Sequence, residues 1–197
     1  VRPGAVELAD GRTLAADLVL AAVGAVPATE WLAGTLPRTA DGRLLVDERM
    51  RVLDGPTGAG RSDVRALGDV ATRRSARHGW VRGGHWDGAL RGARTLAADL
   101  TEAAGALDDP APYVFSQQLG HDLALFGTPP PGSEVVLREA GRSWSALWVR
   151  DGVLEAALVV DSPREVGVVR RLMSGPALPR IDPGQAADPG RPLTAAP

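Results

Sequence analysis

The chain has 197 residues, 44% hydrophobic and 23% charged, with 22 basic against 24 acidic side chains. That balance is globular, is enough to bury a core, and leaves no block of like charge for nucleic acid or an anionic membrane. Cysteine is absent, which excludes a disulfide framework, a thiolate metal site and a dithiol redox pair within the chain.

The longest apolar run, Leu18 to Val23, is far too short for a transmembrane span, and no signal peptide is visible. His78, His85 and His121 are scattered without metal-ligand spacing, so no metal site is expected. The opening at Val1, without Met and soon in a strand pattern, reads as a fragment of a longer protein. The composition fits a cytoplasmic protein.

In chain order, Val6-Glu7-Leu8 and Leu14 flank Ala9-Asp10-Gly11-Arg12, a hairpin signal. Asp17 to Val23 is a continuous apolar run ended by Gly24, the pattern of a strand buried on both faces. The loop Gly24 to Thr29 either brings backbone close to a ligand or turns a corner, and a short helical piece follows over Thr29 to Leu32. Asp41-Gly42 is a turn, Leu44-Leu45-Val46 a strand, and Gly55 to Gly60 a surface loop. Val64 to Leu67 reads as a central strand running into Gly68-Asp69. Residues 71–83, rich in arginine, read as a solvated loop.

From about Gly84 to Ala104 the spacing predicts an amphipathic helix. Trp86, Ala89, Leu90, Ala93, Leu96, Ala97, Leu100 and Ala104 form one apolar stripe, and Asp87 pairs with Arg91 on the wet side. Asp108 to Pro112 reads as a domain boundary. Short strands follow at Tyr113 to Gln118, His121 to Phe126 and Val135 to Leu137. Trp144 to Val149 alternates, with Trp144, Ala146 and Trp148 on one face and Ser145, Leu147 and Val149 on the other, and pairs with Val153 to Val160 through Asp151-Gly152. Ser162-Pro163-Arg164-Glu165 is a capping box opening a last helix, which Gly175-Pro176 ends. The proline-rich stretch 176–197 is expected to bury too little to order itself.

Gly68-Asp69 puts a carboxylate at the carboxyl end of a sheet, where ligands of open α/β sheets bind. The helix start at His85-Trp86 offers free N–H groups and the positive end of a dipole. A polyhydroxyl or diphosphate ligand with an electron-rich ring fits both. Asp69 as a plain turn former and Trp86 as core packing stand as alternatives. No Gly-x-Gly-x-x-Gly follows a strand, so no complete dinucleotide-binding half is present.

The succession Asp10-Gly11, Asp17-Leu18-Val19, Ala22 to Pro27, Asp41 to Asp47 and Ala66-Leu67-Gly68-Asp69-Val70-Ala71 resembles the pyridine-nucleotide-dependent flavoprotein reductases. His85-Trp86-x-x-Ala89, then Phe115-Ser116-x-Gln118-x-Gly120 and a small terminal domain, is similar to their ferredoxin (putidaredoxin- and rubredoxin-type) reductase branch. The likeness runs from about residue 6 to 173. It implies an α/β fold, the carboxyl-terminal part of a flavoprotein reductase with two dinucleotide-binding domains, then a small α+β carboxyl-terminal reductase domain. Residues 1–25 would end the NAD(P)-binding domain, 26–108 form the second segment of the FAD-binding domain, 109–175 the small domain and 176–197 a disordered tail.

The resemblance further implies FAD as cofactor, NAD(P)H as electron donor and a ferredoxin-type iron–sulfur protein as partner, with no side chain acting as acid or base. Asp69 would hydrogen-bond the ribityl chain, with Gly68 letting backbone approach. His85, Trp86 and Ala89 would lie at the isoalloxazine, and Phe115 and Gln118 would cover the ring. Gly84 stands where the family commonly has Glu, and Phe115-Ser116-Gln117-Gln118 where it reads Trp-Ser-Asp-Gln. The chain alone is expected to be inactive. The competing expectation is a non-enzymatic interaction or dimerisation module using the terminal sheet, and a homodimer is compatible with either.

Overall fold

A computed structural model of the chain describes residues 2–102 and 109–196. Near the amino terminus, β1 (Ala5–Glu7) and β2 (Thr13–Ala15) form the expected hairpin, with Val6 opposite Leu14. Asp10 holds its turn, accepting from the Arg12 backbone N–H at 3.1 Å and its guanidinium at 2.7 Å.

The run Asp17 to Val23 is not a buried strand. It has no ladder partner among the described residues, and Leu18, Leu20 and Val23 are 88, 86 and 94% exposed. An apolar run becomes a two-faced interior strand only between neighbours, and no described strand pairs with this one. The short helical piece is present as a 3-10 turn, Glu30–Leu32.

The first five-stranded sheet has the order β5-β4-β3-β6-β7, with β3 (Leu44–Val46), β4 (Arg51–Leu53), β5 (Gly60–Arg65), β6 (Ala71–Ser75) and β7 (Gly79–Arg82). Only the β3–β6 pairing is parallel, Leu44 facing Ala71. β3 turns into β4 around Asp47, a buried carboxylate that accepts the backbone N–H groups of Arg49 (2.8 Å) and Arg51 (2.9 Å) and the Arg51 Nε (2.8 Å). Leu32, Leu44, Val46, Met50, Val52, Ala66 and Ala71 form its core.

Two expectations fail within this sheet. Residues 71–83 are the β6–β7 hairpin rather than a solvated loop. Its arginines reach past the sheet edge to carboxylates, Arg73 to Asp109, Arg74 to Glu48 and Arg82 to Asp41, so charge does not prevent pairing. The strand expected to be central is instead the edge strand β5, paired only with β4; it begins earlier and stops at Arg65, leaving Ala66 and Leu67 outside it.

The long helix α1 spans Trp86–Leu100; its expected end at Ala104 lies outside the described residues. The apolar stripe does not face the core. Trp86 and Leu100 are 67 and 65% exposed, and Leu90, Ala93 and Ala97 are exposed too. The helix docks through Gly92, which sits against Leu67 and Met50, and through Leu96. Small backbone lets it lie close to the sheet, and its other larger apolar side chains, Trp86, Leu90 and Leu100, are left outward.

The second sheet is wholly antiparallel, in the order β10-β11-β12-β9-β8: β8 (Tyr113–Gln118), β9 (His121–Gly127), β10 (Glu134–Ala140), β11 (Ser143–Arg150) and β12 (Val153–Val160). On β11 the expected alternation holds, with Ser145, Leu147 and Val149 almost fully buried. α2 (Pro163–Leu172) lies on that face through Val169, joined by Met173. Proline at its first position presets the backbone, but the capping box does not form. Ser162 makes no side-chain cap, and Glu165 instead accepts from Arg138 Nε at 2.8 Å.

The tail is ordered, against expectation. It includes α3 (Pro183–Ala186) and buries Ile181, Ala186 and Leu193. Arg138, with a side chain only 6% exposed, donates to the carbonyls of Ala186, Asp188 (2.8 Å) and Arg191 (3.0 Å). A buried guanidinium must be satisfied on every edge, and here the tail backbone supplies the acceptors. Composition undercounts this stabilisation because it comes from polar satisfaction rather than apolar bulk.

Candidate functional site

Between β5 and β6 the chain makes a 3-10 turn, Gly68–Val70. Gly68 has φ +73, the left-handed region that glycine adopts without strain. Asp69 is exposed at the turn. A Cβ built on Gly68 lies 3.7 Å from the Ala89 Cβ, so the turn rests against the second turn of α1. Beneath it Gly83 donates its N–H to the Ala71 carbonyl at 2.8 Å, and a Cβ on Gly83 would stand 2.0 Å from the Gly68 oxygen. Gly83 is therefore what lets the Asp69 turn settle.

At the start of α1 the N-cap is His85, extended (φ −133, ψ 142) and making no side-chain cap. The first-turn N–H groups thus keep their capacity for an external acceptor. His85 and Trp86 are exposed beside them. Asp87 does pair with Arg91, at 2.7 Å, but not on the wet side. Its side chain is 13% exposed and borders a cavity of about 70 Å³ that Gly68, Gly83 and Tyr113 also line.

On the small domain, Phe115 is 56% exposed, its ring 5.9 Å from that of Tyr113. Gln118, at the end of β8, is exposed and donates to Ser116 Oγ at 3.2 Å. Next to it Gln117 donates to Asp122 at 2.7 Å, and the Asp161 carboxylate meets His121 Nδ1 at 2.6 Å. That contact with His121 holds the Asp161 carboxyl below the usual carboxylate range. α1 packs against both the Gly68–Val70 turn and β8. Gly68, Asp69, His85, Trp86 and Ala89 are thereby gathered at one end of α1, with Phe115 and Gln118 on the strand beside that helix.

Chemically this surface can accept hydroxyls at the Asp69 carboxylate and hold an electron-rich carbonyl at the α1 start. It carries no nucleophile with an adjacent base, and no group of metal-ligating side chains occurs among the described residues. No described helix is long and apolar enough to cross a membrane. Sequence reasoning missed Gly83 and Arg138. The Gly83-Gly84 pair was a visible signal for close backbone approach; Arg138, in an alternating strand, gave none.

Residues 2–93 match the family model described as pyridine nucleotide-disulphide oxidoreductase, and residues 113–196 match the one described as reductase C-terminal. By these matches the chain is similar to the pyridine nucleotide-disulphide oxidoreductases. It is also similar to ferredoxin reductases. One relative is the benzene 1,2-dioxygenase system ferredoxin–NAD(+) reductase subunit of Pseudomonas putida, 32% identical over 91% of this chain and 42% of that protein. Another is monodehydroascorbate reductase 4 of Arabidopsis thaliana, 32% identical over 82% of this chain and 32% of that protein. Among solved structures, the ferredoxin reductase for the CYP199A2 system of Rhodopseudomonas palustris superposes with a TM-score of 0.77, at 32% identity, over 94% of this chain and 44% of that one. In the covalent putidaredoxin reductase–putidaredoxin complex the TM-score is 0.75, at 26% identity, over 87% of this chain and 40% of that one. The chain thus spans about two fifths or less of the curated relatives it matches.

Proposed function

We propose that this chain is the portion of an FAD-dependent NAD(P)H:ferredoxin oxidoreductase that holds the ribityl and ring end of the flavin and passes electrons to an iron–sulfur protein. The observation that carries this is the packing of the Gly68-Asp69 turn against the uncapped, Trp86-bearing start of α1, two features fitted to one ligand. The residues present fit that end of FAD: Gly68 has no side chain to obstruct approach, Asp69 is an exposed acceptor, and the helix start is free of a side-chain cap. FAD supplies the chemistry when bound, taking two electrons as hydride and releasing them singly. Asp69 would fix the cofactor lengthwise through hydroxyl hydrogen bonds. The α1 start would favour negative charge at the ring's carbonyl edge, and Trp86 would shield that edge from water. Phe115 and Gln118 would approach from the small domain.

Residues 1–25 would then close an NAD(P)-binding domain and 26–108 continue an FAD-binding one. The exposed α1 stripe and the run Asp17 to Val23 are surfaces on which the rest of such an enzyme would pack, so the chain alone is expected to be inactive. Its site of action would be the cytoplasm. A second reading, an association module, is favoured by one observation. Val135, Leu137 and Trp144 are 49, 52 and 37% exposed on the sheet face turned away from α2, an apolar patch suited to a second copy.

Flavin titration separates the readings. The chain alone is expected to bind FAD weakly or not at all, while a longer protein containing it is yellow. In that longer protein Asp69→Ala should weaken FAD binding about 10- to 100-fold, as loss of a hydrogen bond to a charged acceptor does. Undiminished flavin content together with lost self-association would favour the module instead.

A further inference from the structure

The two halves of the chain have separate cores. One is built on β3, β4 and β6, the other on β8 to β12 with α2, and they share no residue. Where the halves meet lie two cavities, of about 70 and 160 Å³, rather than a common apolar layer. Domains joined without a large hydrophobic interface are expected to move relative to one another. Something else must set their pose.

The β6–β7 hairpin tip supplies it. Asp109, the first described residue of the connection into the small domain, accepts from Arg73 Nη1 at 2.6 Å and Ser75 Oγ at 2.8 Å. Ser75, buried, also accepts the backbone N–H groups of Arg77 (3.2 Å) and His78 (2.9 Å), which shapes the tip. So shaped, the tip projects Arg77 across the junction. Its Nη1 donates to the carbonyls of Met173 (3.2 Å) and Gly175, just past the end of α2. The last carbonyls of a helix lack internal partners and carry its negative pole. Arg170 and Arg171 sit in that last turn, and Arg77 adds the donor from the other half of the chain. Its side chain is 11% exposed, so the contact is shielded from screening.

We propose that Arg77 is a positioning residue, an inter-domain cap on α2 that works with the Arg73–Asp109–Ser75 cluster as a latch setting the pose of the small domain. Through that pose it sets how Phe115 and Gln118 stand relative to the α1 start. Only this last consequence rests on the proposed function; the latch itself is a statement about geometry and is tested without flavin.

Because the chain has no cysteine, spin labels can be placed by Ser62→Cys on β5 and Glu139→Cys on β10, both exposed and far along the chain from the latch. Pulsed electron resonance then reads the distance distribution between the two halves. Arg77→Gln and, separately, Asp109→Asn should broaden it about twofold, with the thermal unfolding of the second sheet, which carries Trp144 and Trp148 on β11, unchanged. Arg77→Lys, which keeps the cation and a donor on a shorter stem, should narrow the distribution again relative to Arg77→Gln. A merely structural role would shift unfolding and leave the folded distribution alone. Distributions as narrow as the parent's in both Arg77→Gln and Asp109→Asn would overturn the latch, as would a broadening that Arg77→Lys fails to reverse.

Discussion

Gly83 lies under Gly68 with nothing but backbone between them: a Cβ on Gly83 would stand 2.0 Å from the Gly68 carbonyl oxygen and 2.9 Å from that of Ala71. The obstacle is main chain, which cannot rotate aside, so the Gly68–Val70 turn must move if residue 83 gains a side chain.

Gly83→Ala should therefore destabilise the first half by about 1–3 kcal/mol, the usual cost of overpacking, read as a lowered urea midpoint. In a flavin-containing form it should also lower FAD content, because Asp69 is carried on the displaced turn. Gly88→Ala is the control. Nothing lies within 4 Å of a Cβ at Gly88, in the first turns of α1, and the change should add up to about 1 kcal/mol of helix preference.

Arg138→Met should release the tail. It leaves Glu165 and three tail carbonyls without their shared donor, and breaking a buried pair from one side costs about 3 kcal/mol or more. Limited proteolysis is the direct measurement. Cutting between Arg180 and Arg191 should be fast in the variant and slow in the parent. Equal rates would mean that Ile181, Ala186 and Leu193 hold the tail without it.

His78 gives stability a pH dependence. Burial first, then the cations Arg77 and Arg73 against the opposing Asp109, push its imidazole down to about 4 from an ordinary 6.5, and its buried Nε2 finds no hydrogen-bond partner among the described residues. Between those two values the unfolded chain takes up a proton that the folded chain refuses. Stability should then be full above about pH 6.5 and fall as the pH drops towards 4. The loss is of the order of 2 kcal/mol after allowing for partial solvent screening. Denaturant titrations at pH 7.5, 6 and about 4.5 should show this slope in the parent and a much flatter one in His78→Leu.

Much of the architecture could be read from local signals that carry their own mechanism. The Asp10-Gly11 hairpin, the Leu44–Val46 strand and the alternation on β11 are set by turn chemistry and pleat, and each appears where expected. What could not be read depends on partners distant in sequence. The run Asp17 to Val23 has the composition of an interior strand, yet being interior is a property of neighbours. Trp86, Leu90 and Leu100 form an apolar stripe, but Gly92 and Leu96 decide which side of α1 meets the sheet. Arg73, Arg74 and Arg82 suggested solvent until Asp109, Glu48 and Asp41 came within reach. At the candidate site, Gly68, Asp69, His85, Trp86 and Ala89 were visible as motifs on a turn and a helix start that pack together. Gly83, which lets the turn sit, is legible only once two backbones are seen to cross.

The exposed segment from Leu18 to Val23 also has a cellular consequence. Six consecutive aliphatic or small residues, exposed and free of proline and charge, are the kind of stretch that zips onto an identical copy. It is equally the kind that chaperones and degradation machinery grip. How long this polypeptide survives after synthesis should depend on how soon those side chains find cover, so its abundance in a cell would report on assembly rather than on the stability of either sheet.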